Sequence, residues 1–219
     1  MDITCISTHK GFMKNYVYLC VNQELHESFI IDPSWEINKI YQALNDTSSD
    51  LKAIIHAHSH FYLVCFVYDL TDKFNIPVYI NHTEAEYYKY KCKNMITIKK
   101  NSSIYICGTT IHTITTPGHT KGSMCMHFDS NFFTGDTLLI EGCTIFDEDG
   151  GNTTELYNSL KYLFSFIKDE WLIYPGHANK NKPGLPMSEL RKINKCSDLK
   201  SQNELDDLLE WKNALGNIR

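Results

Sequence analysis

The chain has 219 residues, 42% of them hydrophobic and 12% aromatic, enough for one sizeable core. Its formal net charge of -5 and pI near 6.0 argue against a general affinity for nucleic acid or for an anionic membrane. No run approaches the ~18 apolar residues that a membrane span needs, and MDITCISTHKGF has neither a basic leader nor an apolar core, so a cytoplasmic protein is expected. Eight cysteines, at positions 5, 20, 65, 92, 107, 125, 143 and 196, show no C-x-x-C pair, which predicts reduced, mostly buried thiols. Lys91, Lys93, Lys99 and Lys100 read as a solvated edge.

In chain order, Ile3 to Ser7, Tyr16 to Val21 and Ser28 to Ile31 read as short strands with turns at Lys10-Gly11 and around Asn22 to Glu27. Asp32-Pro33-Ser34 ends the third strand, and Ser34 is expected to cap a helix whose face carries Trp35, Ile37, Ile40, Tyr41 and Leu44. Leu51 to Ala57 is apolar on both faces and reads as a central strand. A helix over Val64 to Phe74, a strand at Pro77 to Ile80 and a short polar helix over Thr83 to Tyr90 follow. The second half offers strands at Ile104 to Ile106, Thr109 to Thr115, Met124 to Phe128 and Phe132 to Thr134, with hairpin turns at Gly108 and Asp129-Ser130. A helix over Thr153 to Lys168, a strand at Trp171 to Tyr174 and a helical tail close the chain. Two halves of this kind predict an α/β (α+β) fold, with two sheets face to face and helices outside. One domain over 1–219 is expected, with 187–219 a helical C-terminal tail packed on it.

The chemistry gathers in loops that follow strands. Ala53 to Leu63 runs an apolar strand into His56, His58 and His60. Thr116 to Ser123 carries Pro117-Gly118-His119-Thr120, Phe133 to Thr137 carries Gly135-Asp136-Thr137, and Tyr174 to His177 carries Pro175-Gly176-His177. A glycine before each of His119, Asp136 and His177 lets the chain turn so that the next side chain projects into a shared cleft. Imidazole and carboxylate together suit zinc or non-haem iron, and His58, His60, His119 and Asp136 could complete a four-ligand set. His9, His26, His82, His112 and His127, which lack this setting, read as structural.

These segments resemble the metallo-β-lactamase superfamily, and within it the glyoxalase-II-like hydrolases, over about Ile3 to Ala178. The superfamily signature is H-x-H-x-D-H, then P-G-H-T, G-D-T and P-G-H; the last three stand intact at Pro117 to Thr120, Gly135 to Thr137 and Pro175 to His177. Met124-Cys125, Phe133 to Thr137 and Glu141-Gly142-Cys143 further resemble the zinc-dependent hydrolases of polyketide-synthase clusters. The resemblance implies an αββα sandwich of two mixed β-sheets flanked by helices, with the site at the open edge between the sheets. It also implies a first metal site on His58, His60 and His119, with Asp136 bridging to a second ion. The second site would take the signature's aspartate and last histidine with His177. Here Tyr62 and Leu63 occupy those two positions. His56 lies two residues ahead of the aligned motif and reads as a packing residue.

The departure predicts at most one tightly bound ion, because His177 and Asp136 alone offer too few ligands. It also removes the carboxylate that orients the attacking water. Tyr62, with an unperturbed pKa near 10, is not an equivalent base, although it could donate a hydrogen bond to an oxyanion. Three readings follow. The first is a metal-dependent hydrolase of thioester or similar acyl substrates, including carrier-protein-bound acyl groups, with Asp136 and Tyr62 in catalytic roles and one zinc. The second is a pseudoenzyme or binding module. The third is a mononuclear iron dioxygenase using His58, His119 and Asp136 as a facial triad. Cys143, close after the Asp136 loop, reads as a buried thiol. The loop from Glu141 to Gly151 is where substrate identity would lie.

Overall fold

Alternation along the first strands sorts side chains to two buried faces. The computed structural model of the protein describes residues 1–60, 63, 66–144 and 149–216, with the backbone alone for 211–216. It forms β1 (Asp2–Lys10), β2 (Met13–Asn22) and β3 (Glu27–Ile31), then α1 (Ile37–Thr47), β4 (Asp50–Ile55), α2 (Val67–Phe74), β5 (Val78–Asn81), α3 (His82–Tyr87) and β6 (Met95–Ile98). β1 to β6 make one six-stranded sheet in sequential order, antiparallel through β3 and parallel from β3 to β6. Along β2, Tyr16, Tyr18 and Cys20 enter one core cluster, while Val17, Leu19 and Val21 enter another beside Ile40 and Leu44 of α1 and Val67 and Leu70 of α2.

The second half gives β7 (Ser103–Ile106), β8 (Thr109–Thr115), β9 (Met124–Phe128), β10 (Asn131–Gly135), α4 (Thr153–Phe166), β11 (Leu172–Pro175), β12 (Leu185–Pro186), α5 (Met187–Ile193) and α6 (Gln202–Gly216). Its sheet runs β12-β11-β10-β9-β8-β7 and is antiparallel except for the β10–β11 pair. Phe29 meets Phe128 with ring centroids 5.8 Å apart and Tyr18 meets Phe133 at 5.3 Å, so aromatic rings from both sheets close the interlayer core. Met187, Leu190, Leu205 and Leu209 are buried in the cluster that also holds Leu156, Leu160 and Leu163 of α4. The two mixed sheets flanked by helices are the layered arrangement expected.

Several local expectations shift. Ser34 does not cap α1: the helix starts at Ile37, and the capping position, Glu36, makes no side-chain cap bond. The Ser34 hydroxyl is instead buried between the first two strands, 2.7 Å from Asn15 Nδ2 and 2.9 Å from Thr8 Oγ1, and Trp35 turns the chain at φ 41°. A cap is worth about 1 kcal/mol, less than the burial of either Ile40 or Leu44 at about 1.5–3 kcal/mol, so packing forms the helix without it. The polar helix begins at His82 and stops at Tyr87, and α4 stops at Phe166 rather than Lys168. Val64, at the start of the expected helix, lies outside the described residues. β6 and β12 are edge strands of four and two residues that no alternation marks. Cys5, Cys20, Cys92, Cys107 and Cys125 are free thiols, and Cys143 and Cys196 are buried; Cys65 lies outside the described residues. Among the described residues no helix is long and apolar enough to cross a membrane.

Candidate metal centre

β4 stops at Ile55, and the chain leaving it carries His56, His58 and His60. His56 is fully buried, with Nδ1 3.6 Å from Asp32 Oδ1 and its ring edge-on to Tyr90, and it stands apart from the other two. Asp32 Oδ1 also accepts the Ala57 N–H at 2.8 Å, which fixes the exit of the strand. One further backbone bond, Met124 N–H to Ala57 O at 2.9 Å, ties this exit to the opposite sheet.

His58, His60, His119 and Asp136 come together there: one ligand atom from each lies within 4.8 Å of every other. Among the described residues this is the one His, Cys, Asp and Glu group with that property. His58 Nε2 is 3.1 Å from His60 Nδ1 and 3.7 Å from Asp136 Oδ2, and His119 Nε2 is 3.5 Å from the same oxygen. Ligands about 2.1 Å from a tetrahedral ion stand about 3.4 Å apart, so these spacings fit a single zinc-sized ion. His119 Nε2 is buried without a hydrogen-bond partner, while its Nδ1 lies 3.0 Å from the Thr144 hydroxyl, which fixes the ring. An orphaned imidazole nitrogen aimed at a carboxylate and two more imidazoles is the donor set that a cation would satisfy.

The electrostatics agree. Burial pushes His119 down to about 4 against the pull of Asp136, and burial likewise holds His58 well below the usual histidine range, so both rings are neutral at pH 7, the form in which imidazole coordinates a metal. Burial alone would raise Asp136, but the surrounding imidazoles, His177 foremost, hold it well below the carboxylate range. His177 stands to one side: Nε2 is 3.2 Å from Asp136 Oδ2, and Nδ1 is 2.5 Å from the Lys14 carbonyl. Although burial opposes it, Asp136 first and then the Lys14 carbonyl raise His177 to about 9.

The glycines before the ligand loops divide the work. Gly118 and Gly135 adopt φ of 128° and 48°, where a side chain would be strained. Gly176 is needed for space, because a Cβ there would stand 2.2 Å from Asp136 Oδ1. Leu63 is 1% exposed and carries no ligand atom; Tyr62 lies outside the described residues. Cys143 is buried, as expected. Sequence reasoning missed Thr144, the Lys14 carbonyl and Glu84, a fully buried acid reached by Ser59 and Thr120. None follows a ligand motif; only the N-cap signature Asn81-x-x-Glu84 pointed to the last.

Fold, ligand loops and donor geometry define a metal-binding αββα protein, and the model of the metallo-beta-lactamase superfamily matches residues 11–177: the chain belongs to that superfamily. It is 36% identical over 189 residues to the probable polyketide biosynthesis zinc-dependent hydrolase PksB of Bacillus subtilis (strain 168), covering 86% of this chain and 84% of the relative. The probable polyketide biosynthesis zinc-dependent hydrolase BaeB of Bacillus velezensis is 31% identical over 215 residues, with coverage of 98% and 96%. The crystal structure of ETHE1 from Myxococcus xanthus superposes with a TM-score of 0.82 at 24% identity, over 94% of this chain and 90% of that one, which shows the shared fold.

Proposed function

We propose that the protein is a cytoplasmic, single-domain metal-dependent hydrolase that cleaves thioesters or similar acyl substrates, with carrier-protein-bound acyl groups of polyketide biosynthesis as the substrate class. The observation that carries this reading is the convergence of His58, His60, His119 and Asp136 on one point, with all but His60 buried. The two relatives named as polyketide biosynthesis zinc-dependent hydrolases support zinc and the pathway. Those four residues would hold one zinc ion, which when bound supplies a water of lowered pKa and polarises an acyl carbonyl. Asp136 orients the donor set through Oδ2, and the Lys14 carbonyl holds His177 so that its Nε2 faces Asp136. Tyr62 donates a hydrogen bond to the developing oxyanion. With no carboxylate at position 62, a general-base contribution typically worth ~10²–10⁴-fold is missing, so turnover is slow.

The test is hydrolysis of a panel of acyl thioesters, both pantetheine-linked and carrier-linked, by zinc-loaded protein, with metal counted per chain. About one zinc and a thiol-releasing activity abolished by His119→Ala are expected; a zinc-loaded protein inert to every thioester would reject the hydrolase. The second reading, a binding module that retains the cleft, is favoured by Leu63 and Tyr62 in place of the signature's histidine and aspartate. It requires that the inert protein still bind acylated carrier.

A further inference from the structure

We infer that Glu84 is a positioning residue for the metal centre, a carboxylate clamp that holds the loop of His58 and His60 against the loop of His119. The inference rests on the metal-site reading above and deepens it. Glu84 belongs to no ligand set and is fully buried in the first turn of α3, where the Asn81 side chain accepts from Thr83 N–H at 2.8 Å and caps the helix. Its two oxygens are divided between the loops. Oε1 accepts from Ser59 N–H and Ser59 Oγ, each at 2.8 Å. Oε2 accepts from Thr120 Oγ1 and Gly122 N–H, each at 2.8 Å.

Ser59 lies between His58 and His60, and Thr120 follows His119, so every bond of the clamp ends within three residues of a donor imidazole. A buried carboxylate is costly unless its oxygens are satisfied, and four donors satisfy this one. The loops come close for a reason visible at Gly122: a Cβ there would stand 2.2 Å from Glu84 N, so only glycine lets the His119 loop lie on the helix end. Thr120 is further braced by Ser123, whose Oγ accepts Thr120 N–H at 3.0 Å.

An acceptor is required on both sides, and this sets the clamp apart from mere filling. Glutamine has the same shape but carries an NH₂ on one side, where it would oppose Gly122 N–H or Ser59 N–H. Aspartate is one methylene short of spanning the two loops.

The experiment uses the full-length wild type, Glu84→Gln and Glu84→Asp. Zinc affinity is measured by competition with a chromophoric chelator, the visible absorption of the cobalt(II)-substituted protein is recorded, and the metal-free melting temperature is taken. Both variants are expected to bind zinc about ten- to hundredfold more weakly. Their cobalt bands should change in position and intensity, since the imidazoles no longer share one fixed geometry. Wild-type zinc affinity and an unchanged cobalt spectrum in Glu84→Gln would overturn the inference and leave Glu84 as mortar for the fold. Should both Glu84 variants fail to fold, Ser59→Ala and Thr120→Val remove one side-chain donor from each half of the clamp. Each is expected to weaken zinc binding severalfold, and wild-type affinity in both overturns the inference. A wild type that takes up neither zinc nor cobalt overturns the metal site itself, and this inference with it.

Discussion

The two sides of the cleft differ in how completely they are furnished. On one, three imidazoles and a carboxylate meet within 4.8 Å, and Thr144 holds the His119 ring from behind. On the other, His177 faces Asp136 at 3.2 Å and meets the Lys14 carbonyl through Nδ1, while Leu63, at the sequence position where the signature has a histidine, is buried. The first side buries its donors, an electrostatic cost that a bound cation would offset. At the signature's last histidine position the chain has Leu63, a hydrocarbon side chain that needs no partner. On the proposed one-ion reading, the loops that carry His58, His60 and His119 must be held by contacts that a second ion would not supply.

The contrast breaks most visibly at His119. His119→Ala is expected to lose bound zinc and to lower thioester turnover by about 10³-fold, since a Lewis-acid metal supplies several kcal/mol; metal analysis and thiol release check both. Refurnishing the poorer side is the converse. Tyr62→Asp with Leu63→His is expected to raise zinc from about one to about two per chain and to speed turnover ~10²–10⁴-fold, a gain that a well-equipped parent could not show. Thr144→Val removes the hydroxyl beside His119 Nδ1 and should weaken zinc binding about tenfold in a chelator competition. His177→Ala should leave one zinc in place, with affinity within about tenfold of wild type, because the ion is held from the other side; a total loss of zinc would erase the contrast.

A smaller effect separates the scaffold from the site. His127, packed on Phe132 and Trp171 beside His112, is pushed down to about 4 by burial and then by His112. The unfolded chain, with histidine near 6.5, binds the extra proton first, so this group's contribution falls as pH drops from about 6.5 towards 4. His127→Phe should flatten that limb of the stability profile in thermal melts while leaving zinc stoichiometry unchanged.

Much of this was legible beforehand because its signals are local. Glycine-bounded loops after apolar strands pointed to His119, Asp136 and His177, and the histidines at the end of an apolar strand to His58 and His60; ligand atoms of His58, His60, His119 and Asp136 lie within 4.8 Å of one another, and His177 Nε2 lies 3.2 Å from Asp136 Oδ2. β4 reads as central because both its faces are apolar, and it pairs with β3 and β5. Glu84 was hidden because its partners lie 25 to 38 residues away, so in sequence it is one more acid on a short polar helix. Ser34 misled because a serine before an apolar helix face is a cap by default, and only the approach of Thr8 and Asn15 redirects it. β6 carries two exposed residues among its four and is specified by the neighbouring β5 rather than by its own pattern.

The backbone bonds that cross between the layers also bear on kinetics. Ala57 O receives Met124 N–H, and Gly176 O receives Tyr16 N–H at 2.8 Å, so the ligand loops meet only after chain segments more than 60 residues apart have docked. Closing such distant contacts is slow, and the donors converge late. A metal ion arriving last finds no partner in the folding transition state and cannot hasten it. Zinc is thus expected to leave the refolding rate unchanged and to act on the reverse step, lengthening the life of the native state.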